Sequence, residues 1–265
     1  MFKKLITALT LACTALPVAA QDRFEMPVSG KILNGWLQSD GSRMAALKLE
    51  LEPGWKTYWR TPGDAGIPPQ FDWSGSENLH GVGIAWPAPR VFLTAGMRTI
   101  GYTDTFVLPM TLVPKTAGQP IELNAVIDMG ICSDICIPHR MEISAVIDDA
   151  NTKPTPAIAA ALATRPFSAR EAGVRDTSCS LSPTEDGLKI ETRVSMPSAG
   201  GEEVVIVEPG IPGIWMSETD ASRQGQTLVA VGEMMTSDGA PVSIDRSKVV
   251  ITVLGDNHAV EIRGC

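Results

Sequence analysis

Two cysteines separated by three residues, Cys132 and Cys136, are the residues of this sequence best suited to chemistry. They lie in the segment Gly130–His139, which reads GICSDICIPH. Two neighbouring thiols can form a reversible disulfide that exchanges with the thiols of another protein. The same two thiolates, together with the imidazole of His139, could instead bind Cu(I) or Zn(II). The segment therefore predicts either a redox pair or a metal site.

The spacing of the pair restricts the local backbone. The Cα atoms of a disulfide lie about 4.4–6.8 Å apart, whereas four residues of an extended strand span roughly 13 Å. A disulfide between Cys132 and Cys136 therefore requires the chain to turn back between them. Such a small ring removes little conformational entropy from the unfolded chain, so it stabilises a fold only weakly. The spacing favours a redox pair, with an inert local disulfide as the alternative.

Alternating apolar residues predict the strands that position this turn. Apolar side chains recur at every second position in residues 47–51, 121–129 and 141–147. This period is typical of half-buried β-strands. Because the last two segments flank the cysteines, we expect the pair at a turn between two strands.

The second half of the chain has its own β pattern. Residues 148–166 interrupt the alternation with prolines and an alanine-rich run, which predicts a linker with one short helix. Short β-like segments then recur at residues 188–194, 204–207, 227–231, 248–254 and 259–262. Their spacing predicts a second β-sandwich. The predicted organisation is a signal peptide at 1–20, a first domain at 21–150, a linker at 151–166 and a second domain at 167–265.

Composition and charge exclude several classes of protein. The chain is 44% hydrophobic and 20% charged, which is too apolar for a disordered protein and too mixed for a fibrous one. Its formal net charge of −8 disfavours binding to nucleic acids and to anionic membranes.

The N-terminus is typical of a secretory signal peptide. Lys3 and Lys4 precede the apolar run Leu5–Leu16, and small residues lead to an expected cleavage after Ala20. The apolar run is shorter than the roughly 20 residues that a bilayer span needs. Since no later stretch is apolar enough either, we expect an exported mature chain without a membrane span.

Export permits the cysteines to oxidise. Cleavage removes Cys13 and leaves Cys132, Cys136, Cys179 and Cys265, which allow three pairings. The alternative to this cleavage is a lipoprotein acylated on Cys13, but the residues Thr10–Ala12 before it match a lipoprotein signal poorly. The cysteine count alone does not choose among the pairings.

Several motifs together resemble one protein family. Gly54–Pro68, GWKTYWRTPGDAGIP, resembles the glycine-aromatic-arginine segment of the N-terminal periplasmic domain of DsbD and ScsB thiol:disulfide interchange proteins. Trp86–Arg90, Gly101–Tyr102 and Val107–Met110 follow in the order of that family. Cys132–Pro138, CSDICIP, resembles the ScsB form of its cysteine motif. The resemblance is clear over residues 30–150, and the remainder resembles the second domain of ScsB-type N-terminal regions more weakly.

The resemblance implies a fold and a function. It implies tandem immunoglobulin-like β-sandwiches whose cysteine pair accepts electrons from a membrane partner and reduces periplasmic thioredoxin-fold proteins. Cys136 is expected to attack the partner and Cys132 to resolve the mixed disulfide. The segment Arg90–Arg98 occupies the place of a protective cap loop but differs from it in sequence. Besides the two cysteines, the residues expected to line the site are Tyr58, Trp59, Arg60 and Pro138.

We therefore expect a periplasmic thiol:disulfide interchange protein of the all-β class, with no cofactor and no metal. Because the chain, unlike DsbD and ScsB, has no transmembrane conduit of its own, we expect either a separate membrane protein as electron donor or a changed role within the family. Cys179 and Cys265 are expected to form a structural disulfide, and exchange is expected to depend on the first domain alone. The alternative function is a non-catalytic periplasmic copper-binding or partner-binding module that uses the same cysteines.

Overall fold

The computed structural model describes residues 26–94, 96–185, 187–236 and 243–265. The signal peptide predicted at residues 1–20, its cleavage site and Cys13 lie outside these ranges. No helix within them has the length and hydrophobicity that crossing a membrane requires.

The alternating segments of the first half form two antiparallel sheets that we call the first sandwich. Its strands are β1 (Val28–Leu37), β2 (Arg43–Leu51), β3 (Lys56–Tyr58), β4 (Gln70–Asp72), β5 (Leu79–Ile84), β6 (Arg90–Thr94), β7 (Met97–Thr103), β8 (Thr105–Pro114), β9 (Ile121–Cys132) and β10 (Cys136–Ile147). One sheet has the order β1-β2-β8-β5, and the other has the order β10-β9-β3-β7-β6, with β4 also paired to β9.

The core of the first sandwich lies between these sheets, and its residues are those that the alternation predicts. The odd-numbered residues of β9 from Ile121 to Ile131 are all buried, as are Leu47, Leu49 and Leu51 on β2. Period-two burial therefore confirms the strand predicted before the cysteine pair, and β10, with Ile143 and Ile147 buried, confirms the strand predicted after it.

The second half forms another two sheets that we call the second sandwich. Helix α1 (Pro156–Ala163) precedes it, and its strands are β11 (Phe167–Ser168), β12 (Asp176–Pro183), β13 (Leu188–Ser195), β14 (Val204–Glu208), β15 (Ile214–Met216), β16 (Asp220–Gln224), β17 (Thr227–Thr236), β18 (Val250–Leu254) and β19 (Ala259–Arg263). The sheet orders are β11-β19-β18-β14 and β12-β13-β17-β15, with β16 also paired to β17. The predicted all-β class and the short helix expected within residues 148–166 are confirmed.

One predicted strand begins later than expected. The segment 248–254 becomes β18 only from Val250, because Arg246–Lys248 form a 3₁₀ turn. The Asp245 carboxylate accepts a hydrogen bond of 3.0 Å from the Ser247 amide at the start of this turn. This N-cap holds the chain in a helical turn before the strand.

An apolar cluster connects the two sandwiches. Residues of β7 and of the chain after β3 pack against residues of β14, β18 and β19. The buried members are Trp59, Ile100, Tyr102, Ile206, Leu254 and Ala259. This cluster begins one residue after β3, the strand that lies beside the cysteine-bearing strand β9.

Candidate functional site

The cysteine pair lies at the tip of a β-hairpin. Strand β9 ends at Cys132, strand β10 begins at Cys136, and the two residues are directly opposite in the antiparallel register. Their Cα atoms are 4.1 Å apart and the side chains form a disulfide. In the connecting turn, the Ser133 amide donates a hydrogen bond of 3.0 Å to the Ile135 carbonyl. The structure thus contains the turn that the four-residue spacing requires.

The two cysteines differ in their exposure. Cys132 is fully buried, whereas Cys136 is exposed, as is the neighbouring Ile135. A thiolate from another protein has to reach a sulfur in order to exchange with it. The asymmetry therefore makes Cys136 the accessible member of the pair.

Tyr58 contacts both sulfur atoms from the neighbouring strand. The register pairs Lys56 on β3 with Cys132 on β9, so Lys56 and Tyr58 lie on the same sheet face as Cys132. The Tyr58 hydroxyl donates a hydrogen bond of 2.8 Å to Cys132 Sγ and lies 3.4 Å from Cys136 Sγ. Burial raises the pKa of Tyr58 above its ordinary value, so the group remains a hydrogen-bond donor at neutral pH.

A glycine makes room for the Tyr58 ring. A Cβ atom at Gly130 would lie 3.1 Å from two ring carbons of Tyr58 and 2.7 Å from Cβ of Ile67. Real side chains rarely approach so closely, so a larger residue would push the ring or the chain around Ile67 aside. Gly130 was part of the cysteine segment in the sequence, but its role depends on packing that the sequence does not show.

Lys56 is a site residue that the sequence analysis missed. Its ammonium donates a hydrogen bond of 3.1 Å to Thr99 Oγ1 and lies 5.3 Å from the ring centre of Phe92. Burial lowers the pKa of Lys56 from its ordinary value. Both contacts lie on the β6–β7 hairpin, within or next to the segment expected in place of a cap loop. The signal for Lys56 was its position two residues before Tyr58 on a strand.

Arg60 and Trp59 are directed away from the sulfurs. The Arg60 guanidinium binds Glu208 through hydrogen bonds of 2.9 and 2.7 Å and binds Glu261 through one of 2.8 Å. It also stacks at 4.4 Å from the ring centre of Trp59, which is fully buried. Of the three consecutive aromatic and basic residues expected to line the site, the structure brings only Tyr58 to the disulfide. The other two lie at the junction with the second sandwich.

The position of His139 bears on the two predictions for the cysteine segment, a redox pair or a metal site that includes this imidazole. Pro138 lies on the same sheet face as Cys136 and is exposed opposite Gly130. His139 lies on the other face, where it is opposite Met129, and burial lowers its pKa. The imidazole and the two sulfurs therefore do not converge on one point. Among the described residues, no group of three or more histidine, cysteine, aspartate or glutamate side chains is arranged to hold a metal ion.

The other two cysteines form a disulfide within the second sandwich. Cys179 on β12 is bonded to Cys265, which follows β19, with Cα atoms 5.3 Å apart. Because β12 and β19 belong to different sheets, the bond connects the two layers. Cys179 packs in the apolar core of this sandwich.

Comparison with known proteins identifies the part of the chain that carries the site. Residues 31–147 match the model of the family described as thiol:disulfide interchange protein DsbD, N-terminal. The structure is similar to the N-terminal periplasmic domain of ScsB from Proteus mirabilis, with a TM-score of 0.68 and 21% sequence identity. That similarity covers 94% of this chain and 95% of the other, so it includes both sandwiches. No curated protein sequence matches the chain. The family resemblance seen in the motifs is confirmed, and it supports a thiol:disulfide interchange module.

Proposed function

We propose that this protein is a periplasmic thiol:disulfide interchange protein that passes electrons through Cys132 and Cys136 to thioredoxin-fold partners. One observation carries the proposal: the disulfide has one exposed and one buried cysteine, and a buried tyrosine hydroxyl contacts both sulfurs. We further propose residues 21–150 as the redox domain, followed by the linker at 151–166 and a second domain at 167–265. The match of residues 31–147 to the DsbD N-terminal family supports this division.

The first half of the cycle reduces the protein. A thiolate of the reduced donor attacks Sγ of Cys136, and the bond between Cys136 and Cys132 breaks. The electron pair of that bond remains on Cys132 Sγ, where the Tyr58 hydroxyl donates a hydrogen bond to the new thiolate. The second thiol of the donor then attacks the donor sulfur of the mixed disulfide and releases Cys136. The donor is oxidised to a disulfide, and the protein gains two electrons, with protons taken from water.

The second half of the cycle reduces the partner. The thiolate of Cys136 attacks one sulfur of the partner's disulfide and displaces the other as a thiolate. Cys132 then attacks Cys136 Sγ, restores the intramolecular disulfide and releases the reduced partner. The order follows from the burial of Cys132, because a buried sulfur can reach its neighbour across the hairpin more easily than it can reach another protein.

The expected partners follow from the family. The matched family is named for thiol:disulfide interchange, and the similar ScsB structure is a periplasmic domain. We propose a periplasmic location, thioredoxin-fold proteins as electron acceptors and a separate membrane protein as the electron donor.

Trapping of mixed disulfides tests the proposal. Cys132→Ser retains the exposed thiol and removes the resolving thiol, whereas Cys136→Ser is the matched control that retains only the buried thiol. Each reduced variant is mixed with an oxidised periplasmic thioredoxin-fold protein, and the products are separated without reductant. We expect a stable mixed disulfide with Cys132→Ser and little with Cys136→Ser.

Two outcomes would contradict the proposal. Equal trapping by both variants would remove the distinction between the attacking and resolving cysteines. Tight stoichiometric Cu(I) binding by the reduced wild-type protein, without any exchange, would favour the copper-binding alternative.

A further inference from the structure

Three consecutive residues connect the cysteine pair with the second sandwich. Tyr58, the last residue of β3, contacts both sulfurs. The next residue, Trp59, enters the apolar cluster between the sandwiches, and Arg60 binds two carboxylates of the second sandwich. The chain therefore passes from the redox site to the junction within two residues.

The polar part of this junction is a partly buried network. Arg60 forms two hydrogen bonds with Glu208, at the end of β14, and a third with Glu261 on β19. Thr61 Oγ1 adds a hydrogen bond of 2.8 Å to Glu208. The side chains of Arg60, Glu208 and Glu261 are 23%, 20% and 19% exposed. A bidentate pair within a network at this burial holds its geometry better than an isolated surface pair.

The strand that carries Tyr58 is paired with a neighbour on each side, but its last residue is paired on one side only. All three residues of β3 pair with β7, where Tyr58 is opposite Gly101, whereas the pairing with β9 covers only Lys56 and Thr57. Beyond Tyr58, the Trp59 amide donates a hydrogen bond of 3.0 Å to the Ile100 carbonyl. Beyond its pairing with β7, the end of β3 is therefore held by what Trp59 and Arg60 contact.

We propose that Arg60, Glu208 and Glu261, which we call the Arg60 clamp, are positioning residues for the redox reaction. The clamp holds the end of β3 against the second sandwich and thereby keeps the Tyr58 hydroxyl on Cys132 Sγ. The inference rests on the proposed function, and it replaces the expectation that exchange depends on the first domain alone.

The chemical consequence follows from the role of the hydroxyl. A hydrogen bond to a thiolate depends steeply on distance and angle, so a small shift of the Tyr58 ring weakens it. Weakening it destabilises the thiolate that forms on Cys132 when the disulfide opens. Loss of the clamp should therefore change both the equilibrium and the rate of opening, without any change at the cysteines themselves.

Neutralising the carboxylates tests the clamp. The variant Glu208→Gln/Glu261→Gln retains the shape of both side chains and removes their charge. The matched control is Glu203→Gln, because Glu203 accepts hydrogen bonds of 2.7 Å from Arg223 and from the Ala199 amide, both within the second sandwich. For each protein we would measure the equilibrium of the cysteine pair with dithiothreitol, the rate of its reduction and the free energy of unfolding.

We expect the double variant to slow reduction by about two- to fivefold, because displacing the Tyr58 hydroxyl cannot cost more than removing it, and to shift the equilibrium towards the disulfide. The control should lose stability while its exchange stays at the wild-type level. A folded double variant with wild-type exchange, or an equal change in the control, would overturn the clamp. If the double variant does not fold, Glu208→Gln and Glu261→Gln alone must show the change. A wild-type disulfide that resists reduction in the folded state would instead refute the proposed function, and the clamp with it.

Discussion

Replacing Tyr58 with phenylalanine removes the hydroxyl that contacts both sulfurs of the cysteine pair and leaves the buried ring in place. In the structure this hydroxyl donates to Cys132 Sγ at 2.8 Å. A hydrogen bond to a charged group contributes about 1.5–3 kcal/mol. Thiol exchange develops roughly half of the full charge in its transition state, as its Brønsted coefficients indicate. Tyr58→Phe should therefore raise the barrier to opening by about 1 kcal/mol and slow reduction about fivefold.

The assay is the rate of reduction of the Cys132–Cys136 disulfide by excess dithiothreitol, followed by acid quenching and thiol alkylation. Tyr102→Phe is the matched control, because Tyr102 is also buried in the first sandwich but donates its hydroxyl to the Pro87 carbonyl at 2.8 Å. Both variants should lose about 1 kcal/mol of stability or slightly more. Only Tyr58→Phe should slow reduction. A wild-type rate in Tyr58→Phe, or equal slowing in both, would refute the assignment of Tyr58.

Three further predictions concern stability and packing. Replacing Cys179 and Cys265 with serine should lower the melting temperature and leave exchange intact. The free energy of unfolding should fall by about 4–5 kcal/mol at most for a loop of this length. Lost exchange in the folded variant would contradict a purely structural role. Gly130→Ala should cost about 1–3 kcal/mol and slow exchange by displacing Tyr58, whereas Gly81→Ala, where a Cβ meets nothing within 4 Å, should do neither. Burial raises the pKa of Tyr58 and of Tyr102 in the folded state. Their contribution to the free energy of unfolding is therefore complete below about pH 10 and is lost as the pH rises further. A free energy of unfolding that does not change at high pH would disprove this.

Local features of the sequence predicted the surroundings of the site well. The spacing of Cys132 and Cys136 required a turn, and the alternation on either side predicted β9 and β10, which the structure contains. Proline at the start and alanine in the body of residues 156–163 predicted the short helix. Each of these features depends on neighbours within a few residues, which is the range over which periodicity and propensity carry information.

The long-range contacts of the site were beyond such reasoning. Arg60 meets its carboxylates 148 and 201 positions later in the chain, and nothing in the residues around it distinguishes those two from other acidic residues. Period-two alternation does place Tyr58 and Trp59 on opposite faces, but it does not show which face holds the cysteines. Strand β12, DTSCSLSP, was not among the strands predicted from alternation, because Cys179 and Leu181 are too short an apolar pattern; it forms through pairing with β13.

The most direct test of the account is a redox titration of the folded wild-type protein. The Cys132–Cys136 disulfide is equilibrated with graded mixtures of reduced and oxidised glutathione, while circular dichroism records whether the fold persists. The account predicts that the pair is reduced and reoxidised reversibly with an unchanged spectrum, and that glutathione trapped in the mixed disulfide is attached to Cys136. A disulfide that opens only when the protein unfolds, or glutathione attached to Cys132, would contradict it.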